Sequence, residues 1–201
     1  MDAGPQFHGV PPLPLSLRGR LAEDDTLRGW VCAVLEQVRG MLPRRDAVSD
    51  PIEVPHDGRP IYVLHLHVRH YETDALGHVN NAVYLNYLEQ AAIEHAEAMG
   101  FGKARLAELG GFFVVRRHEI DYLDSSVAGD ELVITTWPET LRGPRALRCY
   151  EIRNATSAKR IVAARTLWVW IDRTTGRPRP MPHAILDAYA AKAGTPDQQD
   201  L

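Results

Sequence analysis

Cysteine is nearly absent: Cys32 and Cys149 are the only two among 201 residues, far apart and without a CxxC spacing. That excludes a disulfide framework and gives no zinc pattern; two buried thiols in a reducing compartment are the simpler expectation. An excess of one charge is missing too. With 23 Lys and Arg against 26 Asp and Glu, the net charge is -3, which offers none of the basic surplus on which nucleic-acid or anionic-membrane binding draws. No apolar run approaches membrane-spanning length, and the N-terminus shows no basic stretch followed by an apolar one and a small-residue cleavage site. A soluble cytoplasmic protein that engages neither nucleic acid nor membrane is expected.

Proline and glycine, by contrast, are concentrated at the start. Gly4, Pro5, Gly9, Pro11, Pro12 and Pro14 describe an irregular lead. Leu27, Trp30, Val31, Val34, Leu35, Val38, Met41 and Leu42 then recur at helical spacing behind Thr26, a suitable cap. Four prolines between Pro43 and Pro60 return the chain as a linker. Residues 1–59 are therefore read as an extension, 60–192 as one domain and 193–201 as a flexible tail.

Within the domain, alternation from Ile61 to Tyr71 marks a strand that points His65 and His67 the same way; with no third ligand evident, no metal is expected there. Apolar residues from Ala82 to Met99 predict a long buried helix stopped by Gly100, with alanines Ala91, Ala92, Ala96 and Ala98 allowing close approach. Runs near 112–123, 131–141, 146–154 and 161–171 are rich in β-branched and aromatic residues. His183 to Lys192 could close the domain as a helix. A strand, a long helix and then strands without crossover helices is an α+β pattern with antiparallel pairing.

Between the first strand and the helix lies Tyr71-Glu72-Thr73-Asp74-Ala75-Leu76-Gly77-His78-Val79-Asn80-Asn81. A carboxylate at the end of a strand, a glycine that lets the chain turn, and a helix start with unpaired N–H groups can together attack or hydrate a carbonyl and hold the resulting oxyanion. Asp74-Ala75-Leu76-Gly77-His78-Val79-Asn80-Asn81, followed by Tyr84-Leu85 and Tyr87-Leu88-Glu89, resembles the loop and helix of the 4-hydroxybenzoyl-CoA thioesterase-like branch of hot-dog-fold acyl-CoA thioesterases. The motif covers residues 68–90 and the element pattern about 60–190.

The resemblance implies a curved antiparallel sheet wrapped around the long helix, a homodimer or homotetramer with active sites at the subunit interface, and hydrolysis of acyl-CoA or acyl carrier protein thioesters without a cofactor. It implies that Asp74 is nucleophile or general base, and that the Asn81 backbone N–H, seven residues on, polarises the carbonyl. Gly77 contributes backbone and His78 an auxiliary contact. Tyr84 and Glu89, on the helix, are candidates for substrate contact, with Phe112, Phe113 and Trp168 as possible lining. Arg116, Arg142 and Arg145, and with them Arg117 and Arg148, are candidates for coenzyme A phosphates, since the guanidinium fork suits phosphate. Asp74 could instead cap the loop, and the same fold also carries hydro-lyases and could serve as a non-catalytic thioester-binding module.

Overall fold

Alternating side chains give each strand two faces, and the long helix takes one of them. The computed structural model describes residues 52–191; the Pro-rich lead, the helix expected between residues 25 and 42, Cys32 and the tail lie outside them. In chain order come β1 (Tyr62–His67), a 3-10 turn (His70–Glu72), α1 (Asn81–Ala98), α2 (Lys103–Glu108), β2 (Gly111–Tyr122), β3 (Glu131–Arg142), β4 (Arg145–Asn154), β5 (Arg160–Asp172) and α3 (His183–Ala191). The strands form one antiparallel sheet in the order β1-β3-β4-β5-β2.

Tyr84, Leu88, Ala91 and His95 repeat at helical spacing and are all buried. This stripe of α1 packs on Leu132 and Ile134 of β3, Tyr150 and Ile152 of β4, and Val162 and Ala164 of β5. Leu88 is fully enclosed, so truncating it to alanine would cost about 2–5 kcal/mol. Ala91 and Ala92 keep the helix close to the sheet, as their small size predicts. On the opposite face Ile52 covers Trp137, Cys149 and Ala163, so the last residues before the domain are packed against it. Burial there pushes the Cys149 thiol up to about 11, which leaves it an inert apolar filler.

The structure departs from the sequence reading in two places. Residues 68–71 do not continue β1: the Glu72 carboxylate reaches back to the Arg69 N–H at 2.7 Å and closes the 3-10 turn instead. The short helix α2 was not anticipated, because six residues behind Gly102 are too few for an apolar period to show. Arg116 is the extra residue of a bulge in β2, where the pairing with β5 slips between Val115 and Arg117.

Candidate active site

The loop before α1 is tied down at both ends. Thr73 bridges to Val79, the Asp74 N–H donates to the His78 carbonyl at 2.8 Å, and Gly77 turns the chain with φ +76° while its N–H donates to the Asp74 carbonyl at 3.0 Å. Asp74 Oδ1 accepts from the N–H groups of Leu76 at 2.8 Å and His78 at 3.2 Å. Half of this carboxylate therefore shapes the loop, as its capping preference predicts, while Oδ2 has no hydrogen-bond partner among the described residues. The side chain is exposed.

Asn80 caps α1, its Oδ1 accepting from the Ala82 N–H at 2.9 Å. Asn81 opens the helix, so its N–H has no intrahelical acceptor, and no other described group accepts from it. The Asn81 carbonyl takes the Tyr122 hydroxyl at 3.0 Å, which fastens the helix start to β2. A free carboxylate oxygen and an unspent helix N-terminal donor thus stand at the two ends of one pinned loop. Gly77 supplies the turn rather than a donor, since its N–H is engaged. The His78 ring is half-buried and has no hydrogen-bond partner among the described residues.

A buried acid to which the sequence reading gives no role, Glu72, anchors this loop. Glu72 accepts from the Tyr87 hydroxyl at 2.7 Å and from the Arg69 backbone at 2.7 Å, its carbonyl accepts the Asn80 N–H, and the Arg69 guanidinium closes at 3.2 Å. Burial alone would raise this carboxyl; the Arg69 N–H, the Tyr87 hydroxyl and the Arg69 side chain outweigh it and hold Glu72 below its ordinary range. Tyr87 is raised well above its usual value by burial and by the Glu72 charge, so it remains a donor.

A cavity of about 650 Å³ opens beside the C-terminal half of α1. Ala92, Ile93 and Ala96 of α1 form one wall, and Phe101, Leu106, Phe113, Leu141, Trp168, Ile185 and Tyr189 complete it. At Gly111 a Cβ would meet Trp170 ring atoms at 2.6 Å and the Ile171 carbonyl at 2.5 Å, so only glycine admits the indole behind the cavity. Glu89 is on the rim, eight residues and so about 12 Å of helix from Asn81.

Of the residues expected to bind substrate, Glu89, Phe112, Phe113 and Trp168 line this cavity, while Tyr84 does not. Tyr84 is core, its ring 5.9 Å from Tyr87 and 5.7 Å from Tyr122. Arg116, Arg117, Arg142 and Arg145 are exposed on β2 and around the Gly143-Pro144 turn. Arg148 is not with them: it is buried and faces the cavity. Period-2 counting along β4 could have found it, because Arg148 shares a face with Ala146, Tyr150 and Ile152.

A helix laid on an antiparallel sheet with strand order β1-β3-β4-β5-β2, and a polar loop at the helix start, defines a hot-dog thioesterase fold. Residues 68–189 match the Thioesterase-like superfamily, and the chain belongs to that family. It is 30% identical over 129 residues to the chloroplastic acyl-acyl carrier protein thioesterase ATL3 of Arabidopsis thaliana, covering 63% of this chain and 66% of that protein. It is 29% identical over 118 residues to the acyl-CoA thioester hydrolase YbgC of Escherichia coli, covering 59% of this chain and 87% of that one. The matched part thus spans just under two thirds of the plant relative. The 1,4-dihydroxy-2-naphthoyl-CoA thioesterase of Synechocystis shares the fold with a TM-score of 0.60 at 20% identity, over 65% of this chain and 96% of that one.

Proposed function

We propose that this protein hydrolyses acyl thioesters, carried on coenzyme A or on acyl carrier protein, to a carboxylic acid and a free thiol, using no cofactor. The observation that carries this reading is the pairing of the free Asp74 Oδ2 with the unspent Asn81 N–H across one pinned loop. A thioester carbonyl oxygen placed at that N–H gains a donor where negative charge develops, strengthened by the positive end of the helix dipole. Asp74 then either takes a proton from an attacking water or adds directly to the carbonyl carbon. In both cases the C–S bond breaks and the thiolate leaves. In the second, water hydrolyses the resulting mixed anhydride and regenerates the carboxylate. The Arabidopsis thaliana and Escherichia coli relatives named above carry thioesterase names of this kind, which supports the reaction class.

The same reading includes assembly. β2 is an edge strand carrying exposed Phe112, Val114 and Val115, and a second copy adding its own β2 there would cover them. A homodimer, alone or as half of a tetramer, also answers a geometric need: Asp74 is not on the cavity wall of its own chain, so a partner's loop could complete the site. Arg142 and Arg145 on the β3–β4 turn, with Arg116, are exposed and would meet coenzyme A phosphates from solvent. The reaction would take place in the cytoplasm.

Thiol release from a panel of aliphatic and aromatic acyl-CoA substrates, with wild type beside Asp74→Asn, tests the proposal. Release that falls by a hundredfold or so in the variant, the loss of a general base or nucleophile, is expected. An enoyl absorbance change without thiol would replace hydrolysis by hydration, and full activity in Asp74→Asn would remove the residue from the chemistry.

A further inference from the structure

The inward face of β4 reads Ala146, Arg148, Tyr150, Ile152, a charged residue within an otherwise core-forming row. Arg148 is 8% exposed. Its Nη1 donates to His95 Nδ1 at 2.9 Å and to Thr136 Oγ1 at 3.2 Å, and Nη2 meets the Tyr189 hydroxyl at 3.5 Å. None of these partners is a carboxylate, and no acidic side chain comes within ion-pair distance of the guanidinium among the described residues. A guanidinium has no acceptor capacity, so His95 must present a lone pair at Nδ1 and hence be neutral. Among the described residues, the result is a full positive charge surrounded by neutral groups and apolar walls.

Burying a cation without a counter-charge is costly, and an alternative of the same volume would serve packing alone better. The other charged residues around this cavity, Glu89, Glu97, Lys103 and Arg173, are all exposed at its rim. Among the described residues that line it, Arg148 is the one charged side chain that is buried. Its three neutral contacts hold it in place, with His95 fixed in turn between the rings of Tyr62 at 5.7 Å and Tyr189 at 5.5 Å. The guanidinium is therefore held at the wall of an apolar chamber, and the donors its neutral partners leave over suit a carboxylate at the head or tail of a hydrocarbon.

We propose that the cavity binds a carboxylate-bearing hydrocarbon, with the carboxylate on Arg148 and the chain among Ala92, Ala96, Phe101 and Trp168. Two sources share that chemistry. One is the released carboxylic acid, held after hydrolysis. The other is the far end of an acyl group that carries a second carboxylate. Both rest on the hydrolase reading above, whereas the binding site itself does not depend on it.

Isothermal titration calorimetry with decanoate and with decan-1-ol, on wild type, Arg148→Met and Arg148→Lys, tests the site. Wild type should prefer the acid by about tenfold to a hundredfold, the range of a charge-assisted hydrogen-bonded pair. Arg148→Met should lose that preference yet hold decan-1-ol as before; Arg148→Lys should keep part of it. Equal affinity of wild type for acid and alcohol, or an undiminished preference in Arg148→Met, overturns the proposal. If Arg148→Met binds neither ligand, Arg148→Lys decides: a retained preference supports the site and a lost one removes it.

Hydrolysis of decanoyl-CoA beside the ten-carbon dicarboxylic half-thioester of coenzyme A separates the sources. Preference for the half-thioester that vanishes in Arg148→Met identifies the acyl tail. Inhibition of wild type by decanoate without such a preference identifies the released acid. Absence of thiol release from every thioester, with acid binding intact, would refute the hydrolase and leave this site standing.

Discussion

At the start of α1 the groups of interest come from ten consecutive residues, Glu72 to Asn81, and the reactive ones face solvent. Along its second half they come from α1, α2 and α3 and from β2 to β5, and the buried charged one, Arg148, turns inward. The first arrangement is a local one. A carboxylate, a turn glycine and a cap residue fix one another through backbone bonds such as Asp74 Oδ1 to the Leu76 and His78 N–H groups. The second exists only when the sheet has closed over the helix. The difference teaches that the proposed reactive groups are written contiguously, while the lining of the cavity is distributed.

It also accounts for what could be read without coordinates. The strand–loop–helix order, four further strands and the loop motif were legible, because period and turn chemistry act within a few residues. The α+β expectation and its hot-dog refinement hold. Tyr84 as a substrate contact was not separable from Tyr84 as core, since one helical stripe serves both. Arg148 stands among the phosphate candidates because a single cation in a strand does not announce which face it takes; counting from Ala146 to Ile152 places it. Glu72, two residues before the acid of the motif, offered no sign that it is spent on Tyr87, fifteen residues away.

The sharpest break of the comparison is Asp74→Asn. If chemistry resides only at the loop, turnover drops about a hundredfold, equivalent to about 2.7 kcal/mol of barrier, while decan-1-ol binding in the cavity does not change. Calorimetry on the variant checks the second half, and a parallel loss of cavity binding would merge the two regions into one.

Tyr87→Phe comes next, and it asks how far the loop depends on the helix beneath it. Losing the hydroxyl removes a donor from a buried carboxylate, a cost of about 1.5–3 kcal/mol, readable by urea unfolding at neutral pH. The folded-state pKa of Glu72 is depressed, so its contribution is present above the unfolded value near 4.3 and is lost as pH falls through the lower folded value. Below about pH 4 the gap between Tyr87→Phe and wild type should therefore narrow. A gap that stays constant into acid would mean that the hydroxyl acts through packing alone.

On the cavity side, Ala96→Phe fills the chamber from the α1 wall. Losing room for about two methylenes is worth about 1.6 kcal/mol, or roughly tenfold, against the longer members of an acyl-CoA series. The shorter members should react as before. A chain-length profile identical to wild type would show that the acyl group lies elsewhere, as at a surface shared with a second copy.

The smallest effect separates two neighbouring asparagines. Asn80 accepts the Ala82 N–H through its side chain, so Asn80→Ala removes a helix cap at a cost of about 1 kcal/mol. The Asn81 side chain is exposed and makes no hydrogen bond among the described residues, and alanine is a better helix former; Asn81→Ala should shift stability by less than about 0.5 kcal/mol. If the oxyanion is held by the Asn81 main chain, its turnover should also stay within a few-fold of wild type, because the N–H survives the substitution. A large loss of turnover in Asn81→Ala with stability unchanged would assign the role to the amide side chain and move the donor from the helix backbone to the loop surface.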